Sequence, residues 1–220
     1  DSVDCLNGCP LTDGEMHQIL EQIAELHSPY LLNGWINGHS VDIKRDNEDD
    51  KLHFGETVSL KIYDRKEIAG GHSTYQIAQQ PQCKARDELR RDMRGDLELL
   101  INGMPVIHIE LKKSGIPISK AEYQIQRYYH NAAFTGIFSL VQVFVAIEPN
   151  EAVYYANSGS EEGLNPGSDY FFHWADRDNE PINDWKRLTK SLLKIPRAHQ
   201  LIGLYPAPHA SDGPVKVIRS

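Results

Sequence analysis

Three residues have types and spacing that chemistry can use: Asp96, Glu110 and Lys112. The lysine stands two residues after the glutamate, and the aspartate lies fourteen positions before it on what reads as a preceding strand. Two carboxylates brought within a few ångströms repel each other unless a cation lies between them. Mg²⁺ takes hard oxygen ligands in near-octahedral geometry and fills its remaining positions with water and phosphate oxygens. The backbone carbonyl of Leu111 could add a third ligand. Lys112 could orient or deprotonate an attacking water, or stabilise charge developing on phosphate. An aspartate followed by Glu-x-Lys on the next strand is the minimal set for metal-assisted phosphodiester hydrolysis.

The elements around these residues must bring them together. Residues 96–101 and 106–112 read as two strands joined through Asn102-Gly103, a strong hairpin signal. Leu97, Leu99 and Ile101 share one face of the first strand; Ile107, Ile109 and Leu111 share one face of the second. Both sets must enter one core, and opposed residues of an antiparallel pair lie on the same face, so opposed position numbers must add to an even number. A plain two-residue turn would pair Ile101 with Met104 and give an odd sum. A three-residue loop or a bulge restores agreement, pairs Ile101 with Pro105, and sets Asp96 opposite Glu110. Lys112 shares their face, as do His108 and Glu98, which read as support for the site or as solvated groups.

Elsewhere, residues 12–27 read as a helix, with Thr12 and Glu15 forming a capping box. Residues 33–56 read as polar and irregular, and the acidic cluster Asp46–Asp50 as a solvated loop. Strands are expected at 57–63, 73–78, 139–147, 152–156 and 215–218, and helices at 119–134, with a second capping box from Ser119 to Glu122, and at 183–194. The basic residues of 84–94 belong to a DNA contact or to a solvated segment. Strands followed by a helix and another strand imply an α/β domain, a mixed sheet with helices packed on it.

The chain has 220 residues, enough for one large domain, and no apolar run long enough to span a membrane. Its first residues carry neither an initiator Met nor a signal peptide, so it reads as a portion of a longer chain. Three cysteines suit a reducing cytoplasm; Cys5 and Cys9 would make half a metal site, but no second pair follows. Ten scattered histidines suggest no zinc site. A net charge of −8 argues against a free-standing DNA binder but suits a carboxylate-based metal site whose phosphate grip comes partly from a larger partner.

Arg94-Gly95-Asp96, the Leu-Leu-Ile-Asn-Gly-Met-Pro stretch and Ile109-Glu110-Leu111-Lys112-Lys113 together resemble the PD-(D/E)xK nuclease superfamily. More narrowly, they resemble the nuclease domain of the type I restriction enzyme R (motor) subunit. Gln124 and Tyr128 match that family's Q-x-x-x-Y motif and share one helix face. The similarity runs from about Tyr75 to Tyr205. It implies a restriction-endonuclease-like mixed β-sheet flanked by helices. Residues 1–72 would be an N-terminal helical and irregular portion, 73–205 the nuclease core, and 206–220 a connector toward a helicase-like motor. It implies a type I site-specific deoxyribonuclease of host defence, cytoplasmic, with Asp96, Glu110 and Lys112 catalytic. Mg²⁺ would be held by Asp96, Glu110 and the Leu111 carbonyl, while Gln124 and Tyr128 would contact the substrate backbone or support the metal site. Double-stranded DNA, the modification and specificity subunits and the motor domains are the implied partners. ATP would serve the full-length subunit only, since no G-x-x-x-x-G-K-[S/T] phosphate loop is present. The superfamily's first helix usually carries one more acidic residue; the expectation is that this helix precedes Asp1. The alternatives are a stand-alone repair or junction nuclease of the same superfamily, and a catalytically idle DNA-binding or docking module.

Overall fold

Hydrophobic alternation along two hairpin-linked segments builds the centre of a five-stranded sheet. We analysed a computed structural model; it describes residues 5–6, 9–26, 29–38, 40–61, 63, 73–83, 92–157 and 171–204. In chain order the elements are β1 (Cys5–Leu6), β2 (Cys9–Pro10), α1 (Asp13–Ala24), α2 (Pro29–Gly38), β3 (Ser40–Lys44), β4 (Thr57–Lys61), β5 (Tyr75–Gln79), β6 (Gln82–Cys83), β7 (Met93–Arg94), β8 (Leu97–Ile101) and β9 (Met104–Leu111). There follow α3 (Ser119–His130), a 3₁₀ turn (Gly136–Leu140), β10 (Val143–Glu148), β11 (Glu151–Ala156), α4 (Trp185–Ser191) and α5 (Arg197–Leu204). The main sheet runs β11-β10-β9-β8-β5, antiparallel except for the β9–β10 pair, which is parallel and bridged by α3. A parallel pair needs such a crossover. This is the expected α/β architecture, a restriction-endonuclease-like mixed sheet flanked by helices. No helix among the described residues is long and apolar enough to cross a membrane.

The central strands β9 and β10 are buried on both faces. One face carries Leu99, Ile101, Ile107, Ile109, Val143, Val145 and Tyr154 into the main core, with Ile19, Ile23, Ile36, Leu188 and Leu192 from α1, α2, α4 and the end of α4. The other face carries Phe144, Tyr155 and Ala146 under α3, which packs down Ala121, Ile125 and Tyr128. The hairpin meets the parity requirement by a bulge, one of the two expected routes, but with a different pairing at its tip. Asn102 and Gly103 both have positive φ, 52° and 82°, and make a two-residue turn that pairs Ile101 with Met104, not with Pro105. A bulge then admits Val106 as an extra residue between the Leu100–Pro105 and Leu99–Ile107 pairs. Because the bulge reverses parity, Met104 and Val106 join Ile107 and Ile109 in the core. Leu111, expected inside, is 42% exposed where the strand leaves the sheet.

The N-terminal portion is more regular than its sequence suggests. Residues 33–56 contain most of α2 and all of β3, which pairs with β4. Of the acidic cluster, Asp46, Glu48 and Asp49 are exposed in a loop, as expected, whereas Asp50 is buried. Arg45, 1% exposed, donates to Glu15 Oε2 at 2.6 Å and to Asp50 Oδ2 at 3.0 Å, and to the carbonyls of Pro10 and Cys9. Glu15 also completes the capping box with Thr12 and accepts from the Asp46 and Asn47 N–H groups. The second capping box does not form. Glu122 lies on the buried face of α3, so it cannot reach back to Ser119, and the helix starts from Ile118 without a side-chain cap. The helix expected over 183–194 is shorter and begins after its Asp184 cap. The expected strand at 215–218 and the connector 206–220 lie outside the described residues, as does most of the basic stretch 84–94.

Candidate active site

The register from Leu97–Ile109 to Leu99–Ile107, continued by one step, brings Asp96 opposite Glu110. Asp96 closes the strand ends together: its Oδ2 accepts the Leu111 N–H at 2.8 Å. Glu110 sits on the face covered by α3 and is fully buried. Its Oε1 takes a hydrogen bond from His108 at 3.0 Å, while its Oε2 makes none among the described residues; Lys112 Nζ stands 3.7 Å from it. Lys112 is held at both ends. Its N–H donates to Ile147 across the parallel pair, and its Nζ donates to Gln124 Oε1 at 2.8 Å and to the Leu111 carbonyl at 3.2 Å. Gln124 Nε2 in turn donates to the Tyr128 hydroxyl, which donates to the Arg94 carbonyl at 2.7 Å.

The six positions expected to matter, Asp96, Glu110, Leu111, Lys112, Gln124 and Tyr128, therefore converge. Gln124 and Tyr128 are engaged with Lys112 and with the backbone just before Asp96, which favours a supporting use over a direct grip on substrate. An apolar cleft of about 320 Å³ opens beside Lys112, lined by Leu97, Leu111, Ile147, Trp185 and Leu193. Glu15, on the early helix, is spent on Arg45 and stands apart from this site.

Two buried residues complete the picture. His108 lies between carboxylates, with Nδ1 at 2.6 Å from Glu98 Oε1 and Nε2 on Glu110. Glu98 and His108 were legible in the sequence as an opposed pair on the site's face, and the structure buries both, so neither is a solvated group. Burial alone would lower the His108 pKa, but its bonds to Glu110 and Glu98 override this and raise it to about 9. Burial pushes Glu110 up; His108 opposes that, and the neighbouring Asp96 charge adds to it. Burial, then Glu110, raises the Tyr128 hydroxyl to about 12, so it remains a donor.

Two carboxylates and a carbonyl at one strand end are the donors that Mg²⁺ accepts while keeping several waters. The unpartnered Glu110 oxygen fits such an ion, because a buried acceptor with no donor is costly unless something fills it. Among the described residues no three His, Cys, Asp or Glu side chains gather into a cage.

The sequence pattern described as "Type I restriction enzyme R protein N terminus" matches residues 18–163. The chain belongs to that family. All of the converging site residues fall within the matched span. Among relatives of the R protein N terminus, a type I restriction enzyme endonuclease subunit of Staphylococcus saprophyticus is 29% identical over 98% of this chain and 21% of its own length. One from Staphylococcus aureus strain MSSA476 is 28% identical over 92% of this chain and 20% of its own length. The EcoprrI endonuclease subunit of Escherichia coli is 29% identical over 70% of this chain and 49% of its own length. The chain thus spans about a fifth of the staphylococcal relatives.

Proposed function

We propose that this chain is the DNA-cleaving part of a type I restriction enzyme R subunit, hydrolysing phosphodiester bonds of double-stranded DNA with Mg²⁺ on Asp96, Glu110 and the Leu111 carbonyl. The observation that carries the reading is the meeting of Asp96 and Glu110 at one strand end, with Lys112 Nζ 3.7 Å from an unpartnered Glu110 oxygen. When bound, Mg²⁺ supplies a Lewis acid for a phosphate oxygen and eases deprotonation of water. The chain's own residues do the rest. The Leu111 N–H fixes Asp96, and the buried sheet fixes Glu110, so both oxygens are set before substrate arrives. Lys112 places a positive charge beside the reacting phosphate or orients the attacking water. Gln124 and Tyr128 hold Lys112 in place.

In the full-length subunit, ATP-driven translocation would come from motor domains outside this chain. Modification and specificity subunits would supply recognition of sequence and methylation. The length of the relatives and their names as endonuclease subunits support this reading. The test is substitution in the assembled enzyme. Asp96→Ala, Glu110→Ala and Lys112→Ala should each abolish cleavage and leave ATP hydrolysis intact. Cleavage that persists in Glu110→Ala overturns the site.

A further inference from the structure

We propose that Glu98 and His108 form a buried relay that holds Glu110 by one oxygen and leaves Oε2 alone to meet a divalent cation. The inference rests on the metal-site reading above and adds two positioning residues to it.

Four observations support it. First, strand register alone assembles the relay: Glu98 and His108 are directly opposed, and His108 and Glu110 are two apart on one strand, so all three share a face. Second, the three side chains are 1%, 1% and 0% exposed, so water cannot substitute for the bonds they make. Third, each carboxylate meets His108 through one oxygen only, and at Glu110 the other lies 3.7 Å from Lys112 Nζ at the site. His108 occupies Glu110 Oε1, and Oε2 is without a hydrogen bond among the described residues. A carboxylate pinned at one oxygen loses its freedom to rotate and presents the other in a fixed place. Asp96, the other carboxylate of the site, acts on Glu110.

Fourth, the imidazole itself has no room to move. Its ring meets Tyr128, Phe134 and Phe144 edge-on, with centroids 5.8, 5.2 and 6.1 Å away. On the remaining side a Cβ at Gly95 would stand 2.7 Å from His108 Cε1. The glycine before Asp96 is therefore required by the histidine across the hairpin. Outer-shell partners that orient ligands typically control metal affinity by about 10–100-fold.

The test is Mn²⁺ binding to this chain by titration calorimetry, with circular dichroism to establish that each variant is folded. His108→Phe fills the same aromatic pocket and removes both bonds; its Mn²⁺ dissociation constant should rise about 10–100-fold. Glu98→Gln keeps the shape and should weaken binding in the same direction by a smaller factor. The double variant should be no weaker than His108→Phe alone, because both act through one carboxylate. Gly95→Ala leaves the chemical identity of both side chains unchanged and should weaken binding by displacing the imidazole. If His108→Phe does not fold, Glu98→Gln and Gly95→Ala decide the matter. In the assembled enzyme, raised Mn²⁺ should restore the cleavage lost in Glu98→Gln, moving the KM for metal more than kcat. If Glu110→Ala loses Mn²⁺ while the relay variants bind within about twofold of the parent, well below that range, the relay is overturned and the metal site stands. If Glu110→Ala binds like the parent, both fall.

Discussion

Asp96→Asn should make the metal-free protein more stable and the metal-loaded protein less so. The substitution keeps the side-chain size and an oxygen to accept the Leu111 N–H, and it removes one of two adjacent negative charges. The Asp96 charge acts against ionised Glu110. Two unit charges about 4 Å apart at an effective dielectric of about 20 cost roughly 4 kcal/mol. Asp96 is only half-buried, so solvent screening brings this to about 1 kcal/mol. For a domain of this size that is a rise of about 2–4 °C in Tm. Metal reverses the order. At about 100 times its Kd, Mn²⁺ stabilises the parent by about 2.7 kcal/mol, or about 5–11 °C, and the variant gains little because half of the carboxylate pair is gone. Scanning calorimetry of both proteins, in EDTA and in Mn²⁺, reads the two comparisons directly. If the variant melts below the parent in EDTA, or both rise equally with Mn²⁺, the like-charge account is refuted.

Arg45→Met should cost about 3–5 kcal/mol, because it leaves Glu15 buried without its cation; urea denaturation measures this, and a loss under about 1 kcal/mol would contradict the buried pair. Asp50 is held below its ordinary value of 3.8 by its hydrogen bond from His53, with burial opposing and Arg45 assisting. A depressed folded pKa stabilises fully above the unfolded value and is lost as pH falls through the folded one. Asp50→Asn should therefore flatten the acid limb of the stability curve below pH 3.8, and an unchanged limb would exclude that contribution. Tyr128→Phe removes the acceptor for Gln124 and the donor to Arg94, at about 0.5–1.5 kcal/mol for each bond. Cleavage should fall while Mn²⁺ affinity holds, and an equal loss of metal binding would show that the residue does more than steady Lys112.

The parts of the fold that the sequence made legible are those where periodicity and chemistry coincide. The apolar alternation around the Asn102-Gly103 turn demanded a parity correction, and burial alone set Asp96 against Glu110. Where the correction sits was not legible. A turn with two positive-φ residues is satisfied locally, so the extra residue moves to Val106, where the carbonyl it frees accepts the Gln142 N–H. In α2, two glycines and two asparagines argue against a helix, and only the packing of Leu32 and Ile36 overrides them. Asp46, Glu48 and Asp49 are solvated as the charge run suggests, but Asp50 is drawn in by Arg45, whose other carboxylate partner, Glu15, lies thirty positions earlier. Ser119 and Glu122 have the right spacing for a cap, but the helix turns that glutamate toward the sheet. Long-range pairing decided each of these, and local pattern cannot report it.

The bulge at Val106 gives the hairpin one residue of slack between its tip and its working end. Without Val106, the pairs Leu100–Pro105 and Leu99–Ile107 would simply become consecutive rungs, and Asp96 would still face Glu110. One residue added to the turn that slipped the pairing, and was not absorbed in a longer loop, would instead invert which face each following side chain occupies, unless the bulge were given up in exchange. Length changes at the tip and the bulge are thus interchangeable currency along this ladder. Relatives could lose Val106, or trade it for a residue more in the turn, and keep the two carboxylates in step.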